Sequence, residues 1–439
     1  MAYRVRFNPH FGKIGVQVAQ RWPEKRIVAR KGKQRQTLGL AMSGGGYRSA
    51  IYNYGVLKGL FEIGVIDTID YLSAVSGGAW IAAPFSTSND LHWFFHDIPT
   101  HANLIEEGFE ALLPNPLRVI QEAMLSRMDP NYVSNIFGRL LAKTFLREHG
   151  QLSRYTSLAD KKMIKDGNRP FLIINGTLNY RNRDSFSVIQ ECFEMTRLYC
   201  GARSLGYVHS RDLMARQKPI RIRDAIAMSG AGAAVHLPAL GGEVAGIGLC
   251  REIVNYARQV KSKHHLSDAD HLDISDGGHY NNLGVEALIN RGCGYIIISD
   301  AEHDREEKDG SRSNQSYHGL RTLLNRKHIP NPINKERIEE LDAVNKPLHV
   351  IQGGADIPNI LYIKLKSSQA FDDFARTRPY NQAGFLRNLF NKGAFSFDPQ
   401  FSTAKLDYDF AEHRNLSELG SFVVHQHKSE IQGFVAQST

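Results

Sequence analysis

One serine of the chain has neighbours that are typical of a nucleophile. Ser76 lies in the segment Ala74-Val-Ser-Gly-Gly78, after the apolar stretch Tyr71–Val75 and before small residues that favour a tight turn into a helix. A strained turn from strand to helix presents a serine hydroxyl at the end of a sheet, and the helix N-terminus favours a developing oxyanion. Ala74 stands where the usual pattern has glycine, so a Ser-Gly-Gly turn without chemistry is the alternative interpretation.

A glycine-rich loop, Ser43-Gly-Gly-Gly46, forms a second candidate element, and apolar residues at helical spacing follow it. Glycine lets backbone N–H groups approach a ligand closely, and a helix N-terminus binds anions, so a phosphate or an oxyanion is expected here. Arg48 on the first helical turn would add a fixed positive charge. A dinucleotide loop is the competing interpretation, but a serine replaces its last glycine, and no Gly-Lys-Ser/Thr of a P-loop follows.

A carboxylate that could serve as a base occurs far along the chain. Asp276 begins an Asp-Gly-Gly segment directly after the short apolar segment 272–275. A carboxylate at a strand end can accept the proton of an attacking hydroxyl, despite a reference pKa of ~3.9. The alternatives are a common turn sequence and, because the chain has 18 histidines, a Ser-His-Asp triad. His279 is too near Asp276 in sequence for the usual separated order, so the dyad is preferred.

These candidates need a sheet whose strand ends meet. The order strand, glycine loop, helix, strand, tight turn and helix implies parallel pairing. We therefore predict a three-layer α/β/α fold with a mostly parallel central sheet and helical insertions. Apolar runs predict strands at 38–42, 71–75, 170–174, 272–275 and 295–299. The predicted organisation is a basic arm over 1–37 and one catalytic domain over 38–430, with insertions near 86–168 and 303–345.

Composition and charge indicate a globular chain with a basic leader. Of the 439 residues, 42% are hydrophobic and 23% are charged, which excludes a disordered chain, a collagen and a coiled coil. The net charge is +9, and residues 1–37, with ten basic residues and one acid, carry all of the excess. The arm is either a solvated tail or an electrostatic tether to anionic lipid. No nucleic-acid partner is expected.

Targeting and cofactor signals are missing from the sequence. The N-terminus has no apolar core of a signal peptide, and no apolar run reaches the ~18 residues of a membrane span. We therefore expect a cytoplasmic protein that is peripheral at membranes. Its four cysteines lack paired spacing, which argues against a disulfide framework and a zinc site. No cofactor and no metal are expected.

Taken together, the motifs resemble those of patatin-like phospholipases and of the catalytic domain of the cytosolic phospholipase A2 group. In that family, as here, a glycine-rich loop with an arginine precedes the elbow serine by about 30 residues. Middle and C-terminal segments, from Pro170 and from Phe397, resemble those of bacterial members. The segments that carry the resemblance are SGGGYRS from Ser43, YLSAVSGGAW from Tyr71 and LDISDGGHYNNLGVEAL from Leu272.

The resemblance implies acyl transfer at a Ser-Asp dyad. Ser76 would attack a fatty-acyl ester with Asp276 as base, an acyl-enzyme would form, and water would release the fatty acid without a metal. Arg48 matches the arginine that is linked to phosphate recognition in the cytosolic phospholipase A2 group. The implied oxyanion hole consists of the backbone N–H groups of Gly44, Gly45 and Gly46.

The implied function is that of a phospholipase A or lysophospholipase, a carboxylic ester hydrolase that acts on membrane phospholipids. Two alternatives stay open from the sequence. One is a signal-activated effector or toxin phospholipase with low basal activity. The other is a non-catalytic member of the fold that binds an anion or a nucleotide.

Overall fold

The computed structural model describes residues 5–6, 19–20, 22–28, 36–88, 90–92, 94–95, 132–146, 157–159, 169–181, 188–217, 220–230, 251–256, 271–306, 312–313, 315–324, 346–354, 357–381, 396–403 and 408–438. The strands in these ranges are β1 (Val5–Arg6), β2 (Ala19–Gln20), β3 (Leu38–Met42), β4 (Tyr71–Val75), β5 (Phe171–Arg181), β6 (Val188–Met195), β7 (Tyr199–Ala202), β8 (Gly206–His209), β9 (Arg251–Val254), β10 (His271–Asp276), β11 (Tyr295–Asp300), β12 (Arg305–Glu306), β13 (Arg312–Ser313), β14 (Leu348–Ile351) and β15 (Asn359–Lys364).

The helices in the same ranges are α1 (Lys25–Val28), α2 (Gly46–Glu62), α3 (Gly77–Thr87), α4 (Tyr132–Phe145), α5 (Ser210–Arg216), α6 (Ile222–Ser229), α7 (Gly278–Asn281), α8 (Val285–Asn290), α9 (Gln315–Leu324), α10 (Gln369–Arg376), α11 (Phe410–Gln426) and α12 (Lys428–Ala436), with a 3₁₀ turn at Ile66–Thr68. No helix in the described part of the chain is both long enough and apolar enough to cross a bilayer.

An eleven-stranded sheet organises the described chain. Its order is β14-β15-β11-β3-β4-β5-β6-β7-β8, with β10 on β5 and β9 on β10. The five central strands from β15 to β5 pair in parallel, and the flanking pairs are antiparallel. The α/β class is confirmed, but the sheet is mixed rather than mostly parallel. The connections from β5 through β8 are too short for crossovers, so these strands form hairpins.

Helices cover both faces of the sheet and give the predicted three layers. Side chains of β11 alternate between two apolar clusters: Ile297 belongs to the cluster under α2, α3 and α11, whereas Ile296 and Ile298 belong to the cluster under α8 and α9. This alternation is the period-two pattern of a strand buried on both faces. The contact between α2 and α11 is close, since a Cβ on Gly55 would lie 1.9 Å from the carbonyl oxygen of Ser417.

The long strand β5 places the two candidate catalytic segments end to end. Its first half pairs in parallel with β4, up to the register pair Val75 and Asn175. Its second half pairs with β10 in the antiparallel sense, from the register pair Asp276 and Gly176 onward, while β6 occupies the opposite edge. The carboxyl ends of β4 and β10 therefore point at each other along one edge of β5.

Part of the predicted N-terminal arm belongs to the core. Trp22 and Glu24 are buried, and the guanidinium of Arg291 lies 4.2 Å from the centre of the Trp22 ring. Arg291 also forms buried ion pairs with Glu24 at 2.9 Å and Glu194 at 2.6 Å. Because a buried charge needs its partners, residues 22–28 are anchored to the sheet, and the proposed boundary at residue 37 does not separate them from it.

The predicted insertions and the predicted domain end at residue 430 lie only partly within the described residues. Within the proposed insertion 303–345, α9 buries Leu320 and Leu323 against the sheet, so this helix is a core element rather than an exposed one. Beyond residue 430, Phe434 of α12 packs on Tyr295 with ring centres 5.2 Å apart. Most of the proposed insertion 86–168 lies outside the described residues.

Candidate active site

The turn after β4 has the strained geometry of a nucleophile elbow. Ser76 has φ 49° and ψ −124°, and it is the one non-glycine residue with positive φ among the described residues. Such a conformation costs about 1–3 kcal/mol and persists only where its surroundings enforce it. The turn is tight, because a Cβ on Gly77 would lie 1.8 Å from the carbonyl oxygen of Gly46. The small residues after Ser76 are therefore required by packing.

The elbow brings the Ser76 hydroxyl to Asp276. Ser76 Oγ donates to Asp276 Oδ2 at 2.9 Å, although the two residues are 200 positions apart. The other carboxylate oxygen, Oδ1, accepts the N–H of Gly278 at 2.6 Å, and Thr177 Oγ1 donates to the Asp276 carbonyl at 2.6 Å. Both members of the pair are only 5% exposed. A fixed carboxylate in contact with a hydroxyl can take up its proton during attack.

The histidine considered for a triad has a different partner. His279 is exposed, and its Nδ1 lies 3.0 Å from Oγ of Ser275. Ser275 in turn accepts a hydrogen bond from Nδ2 of Asn179 at 2.8 Å. Because Ser275 precedes Asp276 on β10, its side chain points to the opposite face of the sheet. This geometry favours the dyad.

The glycine loop passes directly beside Ser76. A Cβ on Gly44 would lie 3.0 Å from Cβ of Ser76, and Gly45 and Gly46 have φ values of 140° and 62°. The N–H of Gly44 already donates to the carbonyl of Asn282 at 2.9 Å. Of the three donors predicted for an oxyanion hole, Gly44 is therefore engaged within the protein, and Gly45 and Gly46 remain candidates.

Asn282 is a residue of the site that the sequence interpretation missed. Its Oδ1 lies 2.2 Å from the position of a Cβ on Gly44 and 2.8 Å from that of a Cβ on Gly278, so the amide sits between the glycine loop and the Asp276 turn. Its side chain hydrogen-bonds Glu302, whose pKa burial and the charge of Asp300 raise to about 7. The only signal for this role was its place in the segment that follows Asp276.

Arg48 lies inside the protein rather than at an open site. It is fully buried, and its Nε donates to the carbonyl of Ala301 at 3.0 Å. Its Nη1 donates to the carbonyl of Phe401, and its Nη2 to Oγ1 of Thr403 at 3.4 Å. Burial lowers the pKa of Arg48, while Tyr408 and the carboxylates of Asp300, Glu302 and Asp304 oppose that change. The guanidinium thus ties the start of α2 to the end of β11 and to residues 401–403.

The described part of the chain contains no cluster of side chains with the composition of a metal site. No group of three or more His, Cys, Asp or Glu side chains there could hold a metal ion.

Part of the chain is similar in sequence to known phospholipases. Residues 38–209, which include the glycine loop and the elbow, match the model of the lysophospholipase catalytic domain. Cytosolic phospholipase A2 epsilon from Homo sapiens is 26% identical over 176 residues, which are 38% of this chain and 20% of that protein. The chain therefore spans about one fifth of the length of this curated relative.

The fold is that of a solved relative. Human GIVD cytosolic phospholipase A2 superposes with a TM-score of 0.68 at 14% identity, covering 94% of this chain and 64% of that chain. Its complex with methyl gamma-linolenyl fluorophosphonate superposes with a TM-score of 0.62 at 16% identity, covering 94% and 61%. At these identities the likeness establishes the fold. Residues 38–209 are thus similar to the lysophospholipase catalytic domain, and the described fold is that of human GIVD cytosolic phospholipase A2.

Proposed function

We propose that the protein is a serine lipid acyl hydrolase of the phospholipase A or lysophospholipase type. The observation that carries the proposal is the 2.9 Å contact between Ser76 Oγ and Asp276 Oδ2 at a strained elbow. The names of the matched relatives, lysophospholipase and cytosolic phospholipase A2, support a fatty-acyl ester of a phospholipid as substrate. A membrane surface is then the natural partner.

The proposed reaction has two acyl-transfer steps. Ser76 Oγ attacks the ester carbonyl while its proton passes to Asp276, and the tetrahedral oxyanion is bound by the N–H groups of Gly45 and Gly46. Collapse breaks the ester C–O bond, and the proton on Asp276 goes to the leaving alcohol. Water then attacks the acyl-enzyme, gives its proton to Asp276, and releases the fatty acid as Ser76 regains its hydroxyl.

Lipid mass spectrometry tests this function directly. Vesicles of defined phospholipids with different acyl chains at the two glycerol positions are incubated with the protein and, as matched control, with Ser76→Ala. We expect a free fatty acid and a lysophospholipid with the wild type only, and the released chain identifies the ester that is cut. Binding to vesicles without any cleaved ester, together with no labelling of Ser76 by a fluorophosphonate, would instead support a non-catalytic member of the family.

Arg48 provides a test of what recognises the substrate. The sequence predicts that it binds the phosphate, whereas its contacts support a brace for the glycine loop. We expect Arg48→Lys to lower kcat/KM for a phospholipid and for a phosphate-free ester by the same factor, roughly 10- to 100-fold, because buried charged hydrogen bonds are lost in both cases. A loss confined to the phospholipid would support phosphate binding. Parallel thermal unfolding shows whether the fold is retained.

The basic arm is proposed to attract the protein to anionic lipid. Its one acid, Glu24, is buried in an ion pair with Arg291, so deleting residues 1–37 would also remove core contacts. Substitution by serine at Lys31, Lys33 and Arg35, which lie outside the described residues, is the cleaner change. We expect binding to phosphatidylserine vesicles at low salt to weaken roughly 100-fold, at about 1 kcal/mol per basic residue. Hydrolysis of a soluble ester is the control, and unchanged binding would contradict the tether.

A further inference from the structure

Ser229, at the carboxyl end of α6, hydrogen-bonds the backbone at Ser76 and the backbone next to Asp276 through different atoms. Its Oγ accepts the N–H of Ser76 at 2.8 Å and donates its own proton to the carbonyl of Asn175 at 2.6 Å. Its carbonyl accepts the N–H of Gly277, the residue after Asp276, at 3.1 Å. Ser229 is fully buried.

These bonds converge where the two strand ends meet on β5. Asn175 is the register partner of Val75, the last residue of β4, and its neighbour Gly176 is the partner of Asp276. The Ser229 hydroxyl therefore links the backbone of the elbow to the strand that sets the position of the base. Because the carbonyls of the last helical turn lack partners within the helix, the bond from Gly277 also satisfies an otherwise unpaired group.

We infer that Ser229 is a positioning residue that holds Ser76 in its strained conformation and in line with Asp276. A serine with positive φ reverts to an ordinary conformation unless its backbone is held from outside, and Ser229 Oγ bonds the elbow N–H directly. This inference rests on the proposed function, because alignment of the pair matters only if Ser76 is the nucleophile. Ser229 acts through Ser76 and has no contact with the ester in the reaction.

The test is Ser229→Ala, which removes one oxygen and keeps the backbone bond to Gly277. The N–H of Ser76 and the carbonyl of Asn175 then lose their partner in a buried place. We expect kcat for a soluble ester to fall on the order of 10- to 100-fold with KM unchanged, and labelling of Ser76 by a fluorophosphonate to slow by a similar factor. Amide hydrogen exchange in the peptide 71–80 should become faster.

The matched control is Ser210→Ala, which also removes one buried hydroxyl. Oγ of Ser210 donates to the carbonyl of Thr196 at 2.7 Å, near the edge of the sheet that β7 and β8 form. We expect Ser210→Ala to lower the thermal midpoint while kcat stays within about twofold of the wild type, since the removed bond is far from the elbow. Ser229→Cys keeps a weak donor and should give an intermediate kcat, which serves as the second variant if Ser229→Ala does not fold.

The outcomes separate this inference from the proposed function. If Ser229→Ala and Ser210→Ala lose stability alike and both keep kcat, Ser229 is an ordinary core serine and the inference is wrong. If the wild type cleaves no ester, the proposed function fails, and hydrogen exchange alone decides the role of Ser229. Faster exchange at 71–80 in Ser229→Ala would then still support positioning, whereas unchanged exchange would contradict it.

Discussion

Ser76→Ala should reduce ester hydrolysis by about 10⁴-fold or more while the fold remains intact, since the substitution removes the attacking oxygen itself. The variant removes the hydrogen bond to Asp276 and creates no clash, so the thermal midpoint should change little. Initial rates with a chromogenic short-chain ester, compared with the rate in buffer, measure the effect. The same variant should no longer react with a fluorophosphonate.

Asp276→Asn extends this prediction to the base. Asparagine keeps the shape of the side chain and an oxygen that can accept the N–H of Gly278, but it cannot take up the Ser76 proton, so we expect a loss of about 10³- to 10⁴-fold. The matched control is Ser86→Ala in α3, a buried serine whose hydroxyl has no hydrogen-bond partner among the described residues. Turnover retained by either dyad variant, or loss with Ser86→Ala alone, would disprove the dyad.

Gly77→Ala should have the second-largest effect, on both stability and activity. The added Cβ would lie 1.8 Å from the carbonyl oxygen of Gly46, so either the elbow or the glycine loop must move. The position of the Cβ is fixed by the backbone and the oxygen belongs to the backbone, so no rotamer change relieves the clash, and we expect a loss of about 3 kcal/mol in the free energy of unfolding. Any folded fraction should show a greatly reduced kcat, because the proposed oxyanion donors Gly45 and Gly46 are displaced from Ser76. Denaturant unfolding and single-substrate kinetics measure the two losses.

Gly433→Ala is the control for this prediction. Gly433 lies in α12, and a Cβ there would meet no atom within 4 Å. Alanine should therefore raise the free energy of unfolding by about 0.5–1 kcal/mol through helix propensity alone and leave kcat unchanged. If Gly77→Ala behaved like Gly433→Ala, the close packing of elbow and loop would be disproved.

Local patterns in the sequence predicted the elements that carry the site. The apolar runs at 38–42, 71–75 and 295–299 are strands, and the turn at Ser76 has the strained geometry that its small neighbours predict. These features depend on residues adjacent in the chain, where propensity and packing act together. The choice of Asp276 as the base for Ser76 rested on residue chemistry and on the resemblance to a family, because spacing alone does not bring together residues 200 positions apart.

Features that depend on register and long-range contact were not predictable in this way. Nothing local shows that β5 continues past Asn175 to pair with β10, and this extension determines where the base lies. Burial of Arg48 by residues 401–403 brings together segments more than 350 positions apart. The engaged N–H of Gly44 likewise depends on Asn282, which a glycine pattern does not include.

The end-to-end meeting of β4 and β10 on β5 has a consequence for synthesis of the protein. A ribosome makes the elbow about 200 residues before it makes the carboxylate, and β5 has only its β4 and β6 partners until β10 emerges. Synthesis adds about 5–20 residues per second, and domains generally fold as units while it proceeds. A growing chain therefore carries Ser76 without the carboxylate of Asp276 for about 10–40 seconds. Under the proposed function, the unfinished chain holds Ser76 without its base and is inactive on lipid until β10 has been made.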